Sequence, residues 1–159
     1  RFVMSRPYKL PESVLVVIHT VDLQVLLLRR TDIGSWQSVT GSKDHLDEPF
    51  ATTAAREVAE ETGLDVHAPG VVLQDWAVQN HYAIYPQYLH RYAPDVTHNT
   101  ERVFGLVLPA PAPVRLSPRE HTEFVWLPWQ QAAQQVFSAS NAVAIERLAT
   151  RIVSDSEPC

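Results

Sequence analysis

An α/β domain, layered α/β/α around a mixed sheet, is the fold class this sequence predicts, and three observations predict it. Two β-branched or leucine-rich apolar runs come first, at Ser13–Thr20 and Gln24–Arg29. One helical pattern with stop signals follows, from about Pro49 to Thr62. Further strand-like runs then lead to two helical stretches near the C-terminus. Strands that precede and follow helices in this way pack as layers about one sheet. A chain of 159 residues is long enough to bury one real core and shows no repeat or second domain.

Taken in order, Ser13–Thr20 (SVLVVIHT) reads as a buried strand. Val21, Asp22 and Leu23 are a connection short enough for a hairpin into Gln24–Arg29 (QVLLLR). Trp36–Thr40 (WQSVT) reads as a short strand feeding Gly41. The helix tolerates Pro49 in its first turn, and Gly63 serves as its C-cap. Residues 65–78 give one or two strands, and the aromatic, basic segment 81–92 gives a strand or an elaborated loop. Arg102–Leu108 is a strand, and the Pro109–Pro113 run (PAPAP) is a stiff connector. Thr122–Leu127 is another strand. Trp129–Phe137 and Asn141–Val153 are helices, the second with Val143, Ile145, Leu148, Ala149 and Ile152 as its apolar positions. The domain is expected to span 4–153, with 1–3 and 154–159 as terminal tails. Met4, the sole methionine, is the expected start, and residues 1–3 carry no secretory pattern.

Charge and cysteine content narrow the function. A net charge of −5 argues against a nucleic-acid polymer as partner, since nothing offsets the phosphate field. A small anionic substrate stays open if a cation bridges it. Cys159 is the only cysteine, which removes disulfides and Cys-based zinc sites and fits a cytoplasmic address. No apolar run reaches the ~18 residues of a membrane span, so no membrane partner is expected.

Residues 41–64 carry the chemistry. Glu57, Glu60 and Glu61 stand at i, i+3 and i+4, which puts three carboxylates on one helix face. Like charges that close repel unless a cation holds them, and hard oxygen ligands suit Mg²⁺, with Mn²⁺ also possible. The other reading of REVAEE alone is a solvated acidic helix face.

The full spacing resembles the box of the Nudix family: G, five residues, E, seven residues, then R-E-U-x-E-E-x-G-U, where U is aliphatic. Arg56 through Leu64 (REVAEETGL) fits every fixed position, as does the Glu48-to-Arg56 interval. One departure is plain, because six residues rather than five separate Gly41 from Glu48. The extra residue falls in Ser42–Asp47, a loop by composition, where insertion is tolerated.

That resemblance implies the Nudix fold and a metal-dependent pyrophosphohydrolase. It implies Glu57, Glu61, Glu60 and Glu120 as metal ligands, with Glu60, Glu61 and Glu120 also candidates for the base. Arg56 orients the acids through a charge-assisted fork, and Glu48 either pairs with Arg56 or serves helix-start electrostatics. Beyond the box, WQSVTGS, HRYAPDVTHNTE and SNAVAIERL resemble the pterin-triphosphate-cleaving branch of the family. This implies hydrolysis of 7,8-dihydroneopterin triphosphate to the monophosphate and pyrophosphate, in folate synthesis.

The same resemblance implies substrate contacts at Lys9, Arg29, Thr40, Tyr82, Tyr85 and Asn141. Lys9 and Arg29 can neutralise a triphosphate tail. The tyrosines can stack on a fused ring, and Asn141 offers a donor and an acceptor to a heterocycle edge. Tyr82 and Tyr85 are three apart, so both reach one ligand only if the backbone turns between them. His81, His90 and His98 are too dispersed for a metal set. Cleavage of dATP or damaged nucleotides is the alternative activity, and a non-catalytic Nudix ligand-binding module the third. The chain is expected to act as a monomer or homodimer.

Overall fold

A computed structural model describes residues 7–156 of the protein, with side-chain surroundings through Arg151. The expected start at Met4, the tail at 1–3 and Cys159 lie outside the described residues.

Seven strands form one sheet: β1 (Glu12–Thr20), β2 (Gln24–Arg30), β3 (Trp36–Gln37), β4 (Val39–Ser42), β5 (Val72–Ala83), β6 (His98–Leu108) and β7 (His121–Pro128). The path runs β3-β2-β1-β6-β5, with β4 added to β1 and β7 added to β2. Strand β1 pairs in parallel with β6 and antiparallel with both β2 and β4. The sheet is therefore mixed, as expected. The same side of β1 hosts β4 over Ser13–Val16 and β2 at His19, which splits the sheet where the acidic segment begins.

Three helices cover it: α1 (Phe50–Thr62), α2 (Trp129–Gln135) and α3 (Ala139–Ser156). Alternation along β1 separates two cores. Val14, Val16 and Ile18 pack with Ala54 and Val58 of α1. Leu15 and Val17 pack with Ala132 of α2 and Ala144, Ile145 and Leu148 of α3. Each fully buried Val or Leu here contributes about 1.5–3 kcal/mol, so both helical layers are held by burial. The α/β/α layering is the predicted one.

Local differences from the sequence reading have simple causes. Helix α1 begins at Phe50, because Pro49 is its extended N-cap, and it stops at Gly63, which takes φ 75° and donates its N–H to Ala59 O. The WQSVT segment is two short strands interrupted at Ser38, not one. Strand β6 starts at His98, four residues before the expected start. Strand β5 runs unbroken from Val72, with a bulge between Asp75 and Val78 where Ala77 takes φ 56°. Its Trp76 ring lies against Gly105, where any Cβ would meet the indole at 2.6 Å. Helix α3 extends through Ser156, so the expected polar tail at 154–159 is helical in its first half. No helix among the described residues is long and apolar enough to cross a membrane.

Candidate functional site

Gly41 lies near the end of β4 beneath α1, facing Glu57. A Cβ at Gly41 would overlap the Glu57 carboxylate, so the glycine is required for close approach and not for its backbone angles. The longer loop after it closes on itself. Glu48 accepts the Asp44 N–H at 3.1 Å, and Glu48 N–H donates to His45 O at 3.0 Å. The extra residue is absorbed in this exposed turn, and Glu48 still reaches the helix.

Arg56 is the hub. Its Nη2 donates to Glu48 Oε1 at 2.9 Å and to Ser42 O at 3.1 Å, and its Nη1 donates to Glu57 Oε1 at 2.8 Å. Asp44 lies 3.1 Å from Nε, and Glu60 lies 3.8 Å from Nη1. Such a planar fork fixes several carboxylates at once, which an ammonium could not do. Thr53 adds a hydroxyl donor to Glu48 at 2.7 Å. Hydrogen bonding to Arg56 is the main cause of a Glu48 pKa lowered to about 2. The Glu48 carboxylate is thus occupied by protein donors.

Glu57 and Glu61 form the other pole. Glu61 is 2% exposed and sits against the Glu57 carboxyl. Burial, then Glu57, then Glu120 and Glu60, push the Glu61 carboxyl well above the usual carboxylate range. Burial also raises Glu57, with Glu60 adding repulsion and Arg56 opposing it. Arg56 serves Glu57 but does not reach Glu61, whose Oε1 is buried without a hydrogen-bond partner. Opposite it, His121 Nε2 lies 3.8 Å away and His121 Nδ1 is likewise unpartnered. Burial, with Arg30 adding repulsion, lowers the His121 pKa to about 4. Ligand atoms of Glu61, Glu120 and His121 fall within 4.8 Å of one another. A crowded set of acids with an orphaned, buried oxygen fits a divalent cation on the physical ground that nothing else offsets its charge. Glu60 sits apart from that close set, with its side chain 55% exposed.

Glu120 is exposed, but its loop is pinned. Its carbonyl accepts Thr31 N–H at 2.9 Å, and its own N–H donates to Ser117 O at 3.0 Å. This brings the loop before β7 against the end of β2 and over Glu61. Lys9 is near the same acids: crowding by the chain, then Arg91 and Arg30, lower its pKa, while Glu57 and Glu61 raise it.

The remaining expected contacts lie on the other face, toward α3. Arg29 is held by Glu123 at 2.7 Å and by Gly34 O at 3.1 Å. Glu61 acts electrostatically on the next residue, Arg30, which is anchored to Asp32. Thr40 follows the same alternation onto the α3 face, where its register partner is Leu15. Strand β5 ends at Ala83 and the 3₁₀ turn (Pro86–Arg91) begins only after Tyr85, so the turn follows both tyrosines and does not separate them. Tyr82 OH accepts from Asn99 Nδ2 at 3.0 Å, and Tyr85 meets Phe137 edge-on at 6.1 Å.

Asn141 needs correction as a free recognition edge. It is 1% exposed. Its Oδ1 accepts Ser38 N–H and its Nδ2 donates to Ser38 Oγ, both at 2.9 Å. Each end makes one bond that braces the break between β3 and β4, and the cap of α3 is Ser138, whose Oγ accepts Asn141 N–H at 3.2 Å.

Sequence reasoning missed His121. The only signal was its place beside Glu120, and its burial follows from the pairing of β7 with β2, where it opposes Arg30.

The NUDIX domain pattern matches residues 9–148. The dihydroneopterin triphosphate diphosphatase of Escherichia coli strain K12 is 42% identical over 145 residues, covering 90% of this chain and 95% of the relative. The Haemophilus influenzae protein of the same name is 38% identical over 142 residues, covering 88% of each. The solved structure of the E. coli dihydroneopterin triphosphate pyrophosphohydrolase superposes with a TM-score of 0.82 at 42% identity, covering 89% of this chain and 97% of that one.

Proposed function

As the chain belongs to the NUDIX family, we propose that it is a Mg²⁺-dependent pyrophosphohydrolase acting on 7,8-dihydroneopterin triphosphate. Water and the substrate would yield dihydroneopterin monophosphate and pyrophosphate, a step of folate synthesis in the cytosol. The reading rests on one observation above all: Glu61, buried beside Glu57 with an unpartnered oxygen, in the box held by Gly41 and Arg56. The named activity of the two bacterial relatives supports the substrate.

Glu61 and Glu120, whose ligand atoms cluster with His121, would hold the cation together with Glu57. Mg²⁺ or Mn²⁺, when bound, supplies charge neutralisation and a more acidic water. Arg56 keeps Glu57 aimed at the site while drawing Glu48 and Ser42 O into one rigid unit. Lys9 and Arg30 place positive charge on the same side as the acids, where a triphosphate tail would lie. Glu120, exposed and outside the Arg56 network, would hold the cation through one oxygen and keep the other for a proton from the attacking water. Glu60, exposed and 3.8 Å from Arg56 Nη1, would add a ligand or a base at the rim of the same helix face.

Comparison of kcat/KM for dihydroneopterin triphosphate, dATP and the other nucleoside triphosphates tests this. The pterin should lead the panel. A higher value for a nucleotide would reassign the enzyme to nucleotide clearance.

A further inference from the structure

The carboxylates of the box offer a cation only oxygen, but one nitrogen faces them. His121 opens β7 and is 4% exposed. Its Nδ1 is buried without a partner, and its Nε2 stands 3.8 Å from Glu61 Oε1, which also has none. A neutral imidazole carries its proton on one nitrogen and a lone pair on the other. With the proton on Nε2, 3.8 Å is too long for donation to Glu61. With the proton on Nδ1, two lone pairs face each other. Unsatisfied buried polar atoms are costly, and neither tautomer relieves this contact.

A bulge in β7 produces this contact. Leu26 and Leu28 of β2 and Trp126 of β7 pack into the core beneath α1, whereas Leu27, Val125 and Leu127 pack into the core toward α3. Regular alternation along β7 would therefore send Thr122 to the α1 face and His121 to the other. The register with β2 slips between Arg29, which opposes Glu123, and Arg30, which opposes His121. Thr122 is thus the extra residue, and a bulge re-aims the side chains beyond it. His121 is turned to the α1 face, where Glu61 lies. Backbone bonds hold the turn there: His121 N–H donates to Ser117 O at 3.0 Å, and Glu120 O accepts Thr31 N–H at 2.9 Å. Arg30, the cation across from His121, is already bound to Asp32.

We propose, on the pyrophosphohydrolase reading above, that His121 Nε2 is a nitrogen ligand of the divalent cation held by the box, and that it tunes the site toward transition ions. An ion about 2.1 Å from each ligand spans about 4.2 Å between opposite ones. The 3.8 Å between Nε2 and Glu61 Oε1 is within that span, so one ion reaches both. Glu120 adds an oxygen, since the ligand atoms of all three residues lie within 4.8 Å of one another. Mg²⁺ favours carboxylate, carbonyl and water oxygen, and imidazole adds most for the later ions of the first transition row. Co²⁺ therefore gains more from His121 than Mn²⁺ does, and Mg²⁺ gains least. The carboxylates alone still accommodate Mg²⁺.

The test is metal binding to the full chain without substrate. Calorimetry on metal-stripped protein compares Mg²⁺, Mn²⁺ and Co²⁺ for the wild type and for His121→Phe, which keeps a ring and removes the lone pair. The variant should lose about tenfold or more in Co²⁺ affinity, the range for disturbing a metal site, and less than about threefold in Mg²⁺ affinity. Pulsed electron paramagnetic resonance of the Mn²⁺-loaded wild type needs no variant, and it should show the nitrogen coupling of a bound imidazole. Absence of that coupling overturns the ligand, whatever the variant does. An equal loss for all three ions in a variant that melts normally overturns it too. Pyrophosphate release from dihydroneopterin triphosphate with Mg²⁺ is measured beside these. Turnover by a wild type that lacks the coupling overturns the ligand and keeps the enzyme reading. Coupling without turnover keeps the ligand and removes that reading. A wild type that binds none of the three ions overturns both.

Discussion

Gly41→Ala is the sharpest single perturbation of the acid cluster. Gly41 is not at positive φ, so alanine can adopt its backbone and the cost is purely spatial. The new Cβ would overlap Cδ, Cγ and Oε2 of Glu57. Restoring the usual spacing of about 3.5–4.0 Å between non-bonded carbons moves the carboxylate by about 1.5 Å. Such a move breaks the 2.8 Å bond from Arg56 Nη1 and displaces the Glu57 carboxyl from its place beside Glu61. One charged hydrogen bond is worth about 1.5–3 kcal/mol, and at this chain length about 2 kcal/mol lowers Tm by roughly 4–8 °C. Misplacing a reacting group by about 1 Å costs on the order of a hundredfold in rate. The assay is kcat with saturating Mg²⁺, together with calorimetric Mn²⁺ affinity and a thermal melt. Both kcat and Mn²⁺ affinity should fall with only the modest loss in Tm. Near wild-type kcat and Mn²⁺ affinity would refute the claim that Gly41 exists to seat Glu57.

Arg56→Lys keeps the charge but loses the fork, so kcat should drop at least about tenfold and urea should unfold the variant at lower concentration. Glu61→Gln removes a buried carboxyl whose pKa is raised in the fold. Below the unfolded value, near 4.5, that carboxyl costs nothing, and stability is lost as pH rises toward the folded value. Metal-free wild type should therefore lose Tm as pH climbs from 5 upward, and the variant should lose less; equal slopes would contradict the account. Glu48 works in the opposite sense. Its pKa is depressed from 4.5 to about 2, so its contribution is complete above 4.5 and disappears as pH falls through 2. Acid unfolding followed by circular dichroism should be flatter across that window in Glu48→Gln. EDTA should lower the wild-type Tm, and Mn²⁺ should restore it, while Glu61→Gln shows little of either response.

The sequence made the box legible because its information is local. The i, i+3, i+4 acids, the C-cap at Gly63 and the glycine before the loop all act within one strand, one turn and one helix. What stayed hidden depends on contacts made far along the chain. Arg29 looks like a phosphate ligand until Glu123 is brought beside it by β2–β7 pairing. Asn141 looks like a recognition edge until Ser38 takes both ends of its amide. His121 looks incidental until the same pairing buries it against Glu61. The helix periodicity placed Glu57, Glu60 and Glu61 together, but only packing separates the buried pair from the exposed third. The bulge at Trp76–Ala77 has no local signature, since it answers to the indole over Gly105.

The most direct measurement is phosphorus NMR of dihydroneopterin triphosphate incubated with Mg²⁺ and either the wild type or Glu61→Gln. The account predicts pyrophosphate and a phosphomonoester from the wild type, and no product from a variant that melts normally. Pyrophosphate from Glu61→Gln at the wild-type rate, or orthophosphate in place of pyrophosphate, would contradict it.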